Sequence, residues 1–312
     1  MAAQSGGPIM DSALLTIRPA SSDRGVLFGI LLILVAMAIL PVMDGFAKYL
    51  GATVPVVEIV WARFTFHTAL ILPIAFARYG ITTVLRPPKP HLQVVRSLLL
   101  VLSTLFFFGA LRYLPLADAL ALIFINPIIV TVLAPFCLGE KVGLRRWLAV
   151  IVGFAGTLII IRPGFAELNA GTGLAIAAGF SIAAYFLLTR RLSGTSEPLV
   201  TLAYTGVVGA VVSTGALPFL WVTPSWPELA MMIGIGLIAA VGHYLIIRAY
   251  DHAPAPVLAP FGYAEIVMAT VVGYVAFGDI PDRWMALGVV VLIASGLYIS
   301  VRESARRNRP GA

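Results

Sequence analysis

Glu265 stands alone in a long apolar stretch, 13 residues after His252 and 14 before Asp279. An ionisable group far inside such a stretch costs several kcal/mol unless it is paired, hydrated or in use. A carboxyl there can titrate a proton or hold an amine. The plain alternative is a helix–helix hydrogen bond from a permanently protonated acid. Asn126 takes the same place in an earlier apolar stretch. Nearer the N-terminus come Glu58, Arg63 and His67. Arg63 and His67 are four apart and share a helical face. A guanidinium forks onto a carboxylate, so Arg63 can hold an anionic substrate. It can equally close an internal ion pair with Glu58 or Asp44, and that pair is the favoured reading. His67 reads first as a satisfied core histidine and second as a cavity group.

Aromatic and polar-tipped side chains recur at mid-depth on other stretches: Tyr185, the pair His243-Tyr244, Tyr263, and Phe107 within Phe106-Phe107-Phe108. Together with Trp61 they suit a cavity for flat or apolar solutes, although plain packing is the favoured reading for the phenylalanines and accounts equally well for Tyr185, His243, Tyr244 and Tyr263. Asp44 and Lys48 are four apart near the end of the first apolar run, with Pro41 one turn earlier. They read as a gate or as an exposed helix-end pair. The single cysteine, Cys137, leaves no internal disulfide or multi-cysteine metal site and reads as a small apolar residue. The nucleotide loop Gly-x4-Gly-Lys-Ser/Thr, the metalloprotease His-Glu-x-x-His and the Gly-x-Ser-x-Gly elbow are missing. No cofactor or metal is expected, and any transport is secondary or facilitated.

The elements that must position these groups follow from composition. The chain is 60% hydrophobic and 11% charged, with mean hydropathy +0.99, whereas a soluble domain is about one quarter charged. In hydrocarbon every backbone polar group must pair internally, so apolar runs of about 20 residues read as helices. Ten spans are expected, at 25–47, 55–77, 92–112, 117–137, 144–161, 173–190, 198–221, 228–248, 255–277 and 284–301. Turn residues separate them, as in Arg-Pro-Pro-Lys-Pro at 86–90. The first 24 residues lack the apolar core of a signal peptide, so the first span is expected to direct insertion.

The net charge of +7 is a matter of topology rather than of nucleic acid. With both termini placed in the cytoplasm, 16 Lys and Arg fall on that side and 4 on the other, with Arg63 inside a span. That bias predicts N-in and C-in. Residues 110–164 and 249–302 are degenerate copies: at one offset Pro115 meets Pro254, Asn126 meets Glu265, Gly139 meets Gly278 and Glu140 meets Asp279. Five spans per half is an odd number, so the second half enters the membrane inverted, and the site is expected near the midplane where the halves meet.

The phrases ALRYLPLADALAL…NPIIVTVLAPFCLGEK and HAPAPVLAPF…EIVMATVVGYVAFGD resemble the two EamA-type repeats of the drug/metabolite transporter superfamily. The stretch EIVWARFTFH, with Arg63, is similar to that family as well. The resemblance covers about residues 25–302 and implies ten helices in two inverted halves around a central cavity, with small organic solutes as cargo. One departure stands out. Many members carry Glu-Pro in the central helix of the second repeat, whereas this chain has Glu265-Ile266, so any proline kink moves to Pro256 or Pro260.

The expected protein is all-α and polytopic: a cytoplasmic tail at 1–24, five-helix repeats at 25–164 and 165–302, and a basic tail at 303–312. It is expected in the bacterial inner (plasma) membrane, as a monomer or homodimer in the lipid bilayer, with a small-molecule substrate, no nucleic acid, and the proton as a possible coupling ion. The expected activity is export of small metabolites such as amino acids, aromatic or apolar ones among them, by alternating access. Glu265 or Asn126 would meet the amine, Arg63 or His243 the carboxylate, and the tyrosines the side chain. The rivals are import of a larger metabolite such as riboflavin or S-adenosylmethionine, an intramembrane enzyme, and a purely structural membrane protein. An enzyme needs an acid/base or metal set clustered at one depth, whereas these groups spread over four spans.

Overall fold

The computed structural model describes residues 23–138, 144–161, 169–192, 195–253 and 255–307, and among these every regular element is helical. In chain order the helices are α1 (Asp23–Leu50), α2 (Val56–Tyr79), α3 (Ile81–Leu85), α4 (Pro90–Ala110), α5 (Leu116–Ile123), α6 (Asn126–Leu138), α7 (Leu144–Ile161), α8 (Ala170–Arg191), α9 (Pro198–Ala216), α10 (Trp226–His252), α11 (Ala255–Leu258), α12 (Ala264–Phe277) and α13 (Arg283–Arg307). The tail at 1–22, the Gly139-Glu140 corner of the first repeat, the Arg162-Pro163-Gly164 and Ser193-Gly194 turns, Pro254 and residues 308–312 lie outside the described residues.

Local sequence sets the ends. Asn169 caps α8 by accepting from the Thr172 amide at 3.1 Å. Ser225 and Glu228 form a reciprocal capping box at the start of α10. Gly278 ends α12 at φ +70°, a left-handed turn that glycine adopts without strain. The short α3 was not expected; it fills a connection that reads as a loop in sequence.

Among the described residues seven spans are long and apolar enough to cross a membrane, one of them formed jointly by α5 and α6. The other three expected spans contain apolar stretches of 10–17 residues, at Ile151–Ile160, Phe261–Phe277 and Arg283–Ser295. Phe261–Phe277 is short because the chain breaks ahead of it: a 3-10 turn at Ala259–Tyr263, containing Pro260, separates α11 from α12. The equivalent place in the first repeat is also broken, between α5 and α6, just before Asn126-Pro127. Large apolar side chains such as Leu31, Phe136, Val211 and Val275 face outward, as a lipid-facing surface requires.

The halves interleave. α1 packs on α10 as α8 packs on α4; α1 meets α12 as α8 meets α5 and α6; α2 pairs with α9, and α7 with α13. The main contacts between halves therefore come with counterparts when the halves are exchanged. Small residues permit the closest crossings. A Cβ at Gly236 would lie 2.4 Å from the Phe66 Cβ and 2.8 Å from the His67 amide, so α10 reaches the backbone of α2 only because that position has no side chain.

Candidate functional site

A cavity of about 760 Å³ runs through the middle of the bundle, with both halves supplying its walls. Its lining includes Leu192, Ser196 and Pro198 around the α8–α9 connection, and Met43 and Asp44 in the last two turns of α1. The two helix breaks pack together beside it. Phe124 and Tyr263 pack with ring centroids 5.5 Å apart, and two residues after each of them Asn126 and Glu265 face the cavity. Breaks of this kind free polar groups at mid-depth, where only a cavity can use them.

Arg63 lines the cavity and donates to the Thr104 hydroxyl. Its Nε is buried without a partner. Among the described residues no carboxylate lies within 4.0 Å of it, so the favoured internal pair with Glu58 or Asp44 is not formed. The reason is where the acids go. Glu58, itself buried, turns to the α9–α10 connection and accepts from the Val222 amide at 3.0 Å. Asp44 faces the cavity, 3% exposed, with no hydrogen bond or ion pair among the described residues. The Glu265 carboxyl is likewise unpartnered among the described residues and lines the same cavity. Asp44 is near enough to Arg63 and to Glu265 to act on the charge of each.

Hydrogen bonds fix what Asn126 and His243 can offer. Asn126 donates one N–H of Nδ2 to the Ile123 carbonyl at 3.0 Å, which leaves Oδ1 and the second N–H to the cavity. His243 Nδ1 lies 2.8 Å from the Ala239 carbonyl. A carbonyl only accepts, so Nδ1 carries the proton and Nε2 of the neutral ring is an acceptor. His243 is therefore no donor for a carboxylate in that form, contrary to one of the roles expected for it. Tyr185 and Phe107 complete the expected residues that line the cavity.

Four expected residues lie elsewhere. Tyr244 is 38% exposed, because neighbours on a helix point about 100° apart and His243 takes the inward direction. Trp61 donates to the Thr214 hydroxyl at 3.0 Å and packs edge-on against Trp221. His67 is buried between Gly206 and Gly236, with Nε2 unpartnered and its ring edge-on to His243 at 6.4 Å. Tyr263 is spent on the stack with Phe124.

Arg96 was missed. In the charge count it is one of 16 cytoplasmic cations, yet it is 2% exposed and lines the cavity. It donates to the Tyr185 hydroxyl at 3.1 Å, Thr189 Oγ1 at 3.3 Å, the Thr201 carbonyl at 3.1 Å and the Thr205 hydroxyl, and lies over the Tyr185 ring at 4.9 Å. Removing it leaves 15 cations against 4, so the bias keeps its sign. The available signal was position: Arg96 lies inside the expected span 92–112, as Arg63 lies inside 55–77.

Lys48 does not pair with Asp44. It bonds Asp279 at 2.6 Å and sits 4.7 Å over the Phe277 ring, tying α1 to the end of α12. A separate pocket of about 750 Å³ is lined by Lys48, Thr53, Arg112, Glu228 and Phe277. Pro41 sits within α1, which continues unbroken to Leu50. Asp44 thus lines the central cavity while Lys48, one turn further along α1, lines the second pocket.

A model of the EamA-like transporter family matches residues 27–162 and 169–301. The chain is 29% identical over 260 residues to an S-adenosylmethionine uptake transporter of Rickettsia bellii, covering 83% of this chain and 89% of the relative. It is 27% identical to a riboflavin transporter of Vibrio cholerae, covering 90% and 95%. It is also 27% identical to the pseudopaline exporter of Pseudomonas aeruginosa, covering 87% and 95%. A solved crystal structure shares the fold at TM-score 0.63 and 21% identity, covering 94% of this chain and all of that one.

Proposed function

The chain belongs to the EamA-like transporter family, and from that membership we propose that it carries small zwitterionic organic solutes across the membrane by alternating access. The observation that carries this reading is the cavity wall. Arg63, Asp44 and Glu265 face one space, and among the described residues none has an ion-pair partner. Separated and unpaired charges of both signs suit a solute that brings its own carboxylate and ammonium. The apolar wall, with Phe107 and Phe108, suits an aromatic or aliphatic body.

The transporter is read as ten spans in two inverted five-helix halves, a reading supported by the exchange-symmetric packing and the paired helix breaks. The charge bias supports cytoplasmic termini and residence in the bacterial inner membrane. With that orientation the cavity wall at Leu192, Ser196 and Pro198 lies toward the cytoplasm, and the Lys48–Asp279 bridge is read as the closure on the other side. Such a state loads from the cytoplasm, which suits export of amino acids. The proton is the coupling ion this reading favours, with Glu265 as its acceptor. One chain supplies the whole cavity, so a monomer is a sufficient unit.

The cavity's volume favours a second reading. About 760 Å³ falls high in the range of about 300–1,000 Å³ for drug-sized ligands. That is more room than a free amino acid needs, and it suits a larger metabolite with an amino-acid head group. Two of the relatives above are an S-adenosylmethionine uptake transporter and a riboflavin transporter. Uptake by purified protein in proteoliposomes, over a metabolite panel and with or without a pH gradient, tests both. Transport confined to uncharged solutes, or to none of the panel, would overturn the zwitterion reading.

A further inference from the structure

We propose that Asp44, Asn126, His243 and Glu265 form an ammonium subsite that counts N–H donors, so that the carrier takes primary ammonium solutes and rejects their N-methylated counterparts. The subsite rests on the reading of this cavity as the transport site. All four residues line it, and they come from α1, α6, α10 and α12, so both halves contribute. What they present is mainly hydrogen-bond acceptors. Asp44 and Glu265 offer carboxylate oxygens; Asn126 has given one of its two amide N–H groups to the Ile123 carbonyl, and His243 its Nδ1–H to the Ala239 carbonyl. The remaining acceptors are then Asn126 Oδ1 and His243 Nε2, beside the one N–H left on Asn126.

Asp44 points to a ligand independently. It is 3% exposed, faces the cavity and has no partner among the described residues. A carboxylate at that burial needs a donor, and the bordering Arg63 stays beyond ion-pair distance. An ammonium supplies three N–H groups to such a wall. A trimethylammonium has the same charge and supplies none, leaving the acceptors unsatisfied and holding its charge further from the oxygens. Arg63 is the neighbouring donor, bonded only to Thr104 among the described residues. An amino-acid head group would rest its carboxylate there and its ammonium on Asp44 and Glu265.

The test compares L-phenylalanine with N,N,N-trimethyl-L-phenylalanine, which share a carboxylate, a body and a positive charge and differ at the nitrogen, where three methyl groups replace the three N–H donors. Binding of each to the full chain in lipid nanodiscs is measured by isothermal titration. The expected result is L-phenylalanine binding tighter by at least about tenfold, the equivalent of one lost charged hydrogen bond. In Asp44→Asn, which keeps shape but adds a donor, the ratio should shrink toward unity while the elution profile of the protein stays the same. Equal affinity for the two probes, no binding of either, or an undiminished ratio in Asp44→Asn would overturn the subsite. Proteoliposome transport separates the two levels. Transport of zwitterions without discrimination against methylation leaves the proposed function standing and removes the subsite. Discrimination in binding without transport of any zwitterion does the reverse.

Discussion

Replacing Arg63 with alanine removes a guanidinium that is 8% exposed, bonds Thr104, lies 5.1 Å over the Phe64 ring and has no carboxylate within 4.0 Å among the described residues. On the stability side the loss is one hydrogen bond to a neutral group, about 1 kcal/mol, plus a cation–π contact of about 0.5–2 kcal/mol. Against it stands relief from holding an uncompensated cation away from water. The net change in stability is expected within about 1 kcal/mol, whereas breaking a buried ion pair costs about 3–5 kcal/mol. On the binding side, losing a charged hydrogen bond to a substrate carboxylate costs about 2–3 kcal/mol, roughly 30- to 150-fold in affinity. The assay is competition for transport in proteoliposomes by a carboxylate solute and its neutral amide, alongside thermal unfolding of the same preparation. The variant should lose affinity for the carboxylate and keep it for the amide. A large drop in unfolding temperature with an unchanged carboxylate-to-amide ratio would refute the reasoning and restore Arg63 to a structural role.

Cross-linking Lys48→Cys to Asp279→Cys should block transport reversibly, because the 2.6 Å bridge ties α1, which lines the cavity one turn earlier at Asp44, to the end of α12; undiminished transport in the cross-linked protein would remove the bridge from the gating path. Gly236→Leu should lower stability by about 1–3 kcal/mol or more, since even its Cβ would meet Phe66 at 2.4 Å, while Gly173→Ala, with nothing within 4 Å, should be near neutral in a thermal-unfolding comparison. Tyr244→Ala should leave transport within about twofold and Glu265→Gln should impair it strongly, because only Glu265 faces the cavity; equal transport rates in the two variants would count against the cavity as the site. A reporter fused after Ala312 should be active only if it works in the cytoplasm, and one inserted near Asn169 only if it works outside; activity in the opposite compartments would reverse the proposed orientation.

Sequence alone was enough for the helical, membrane-spanning class, because hydrocarbon leaves the backbone few choices and the apolar runs are long. The expected span 117–137 covers α5 and α6 almost to the residue, and 144–161 matches α7. The correspondence of Asn126 with Glu265 was legible too, since it needs only an alignment of the chain with itself. Tertiary structure decided which way side chains turn. His243 and Tyr244 are adjacent in sequence, and only helix rotation sends one into the cavity and the other to the surface. Asp44 and Lys48 share a helix turn, yet α12 draws Lys48 to Asp279 and leaves Asp44 to the cavity. Arg96 reads as one more cation near a span end until α8 and α9 close around it with three hydroxyls and a carbonyl. Periodicity places a residue on a helix and at a depth. Which neighbour it meets depends on how the two halves interleave, and those contacts join residues more than 80 positions apart in the chain.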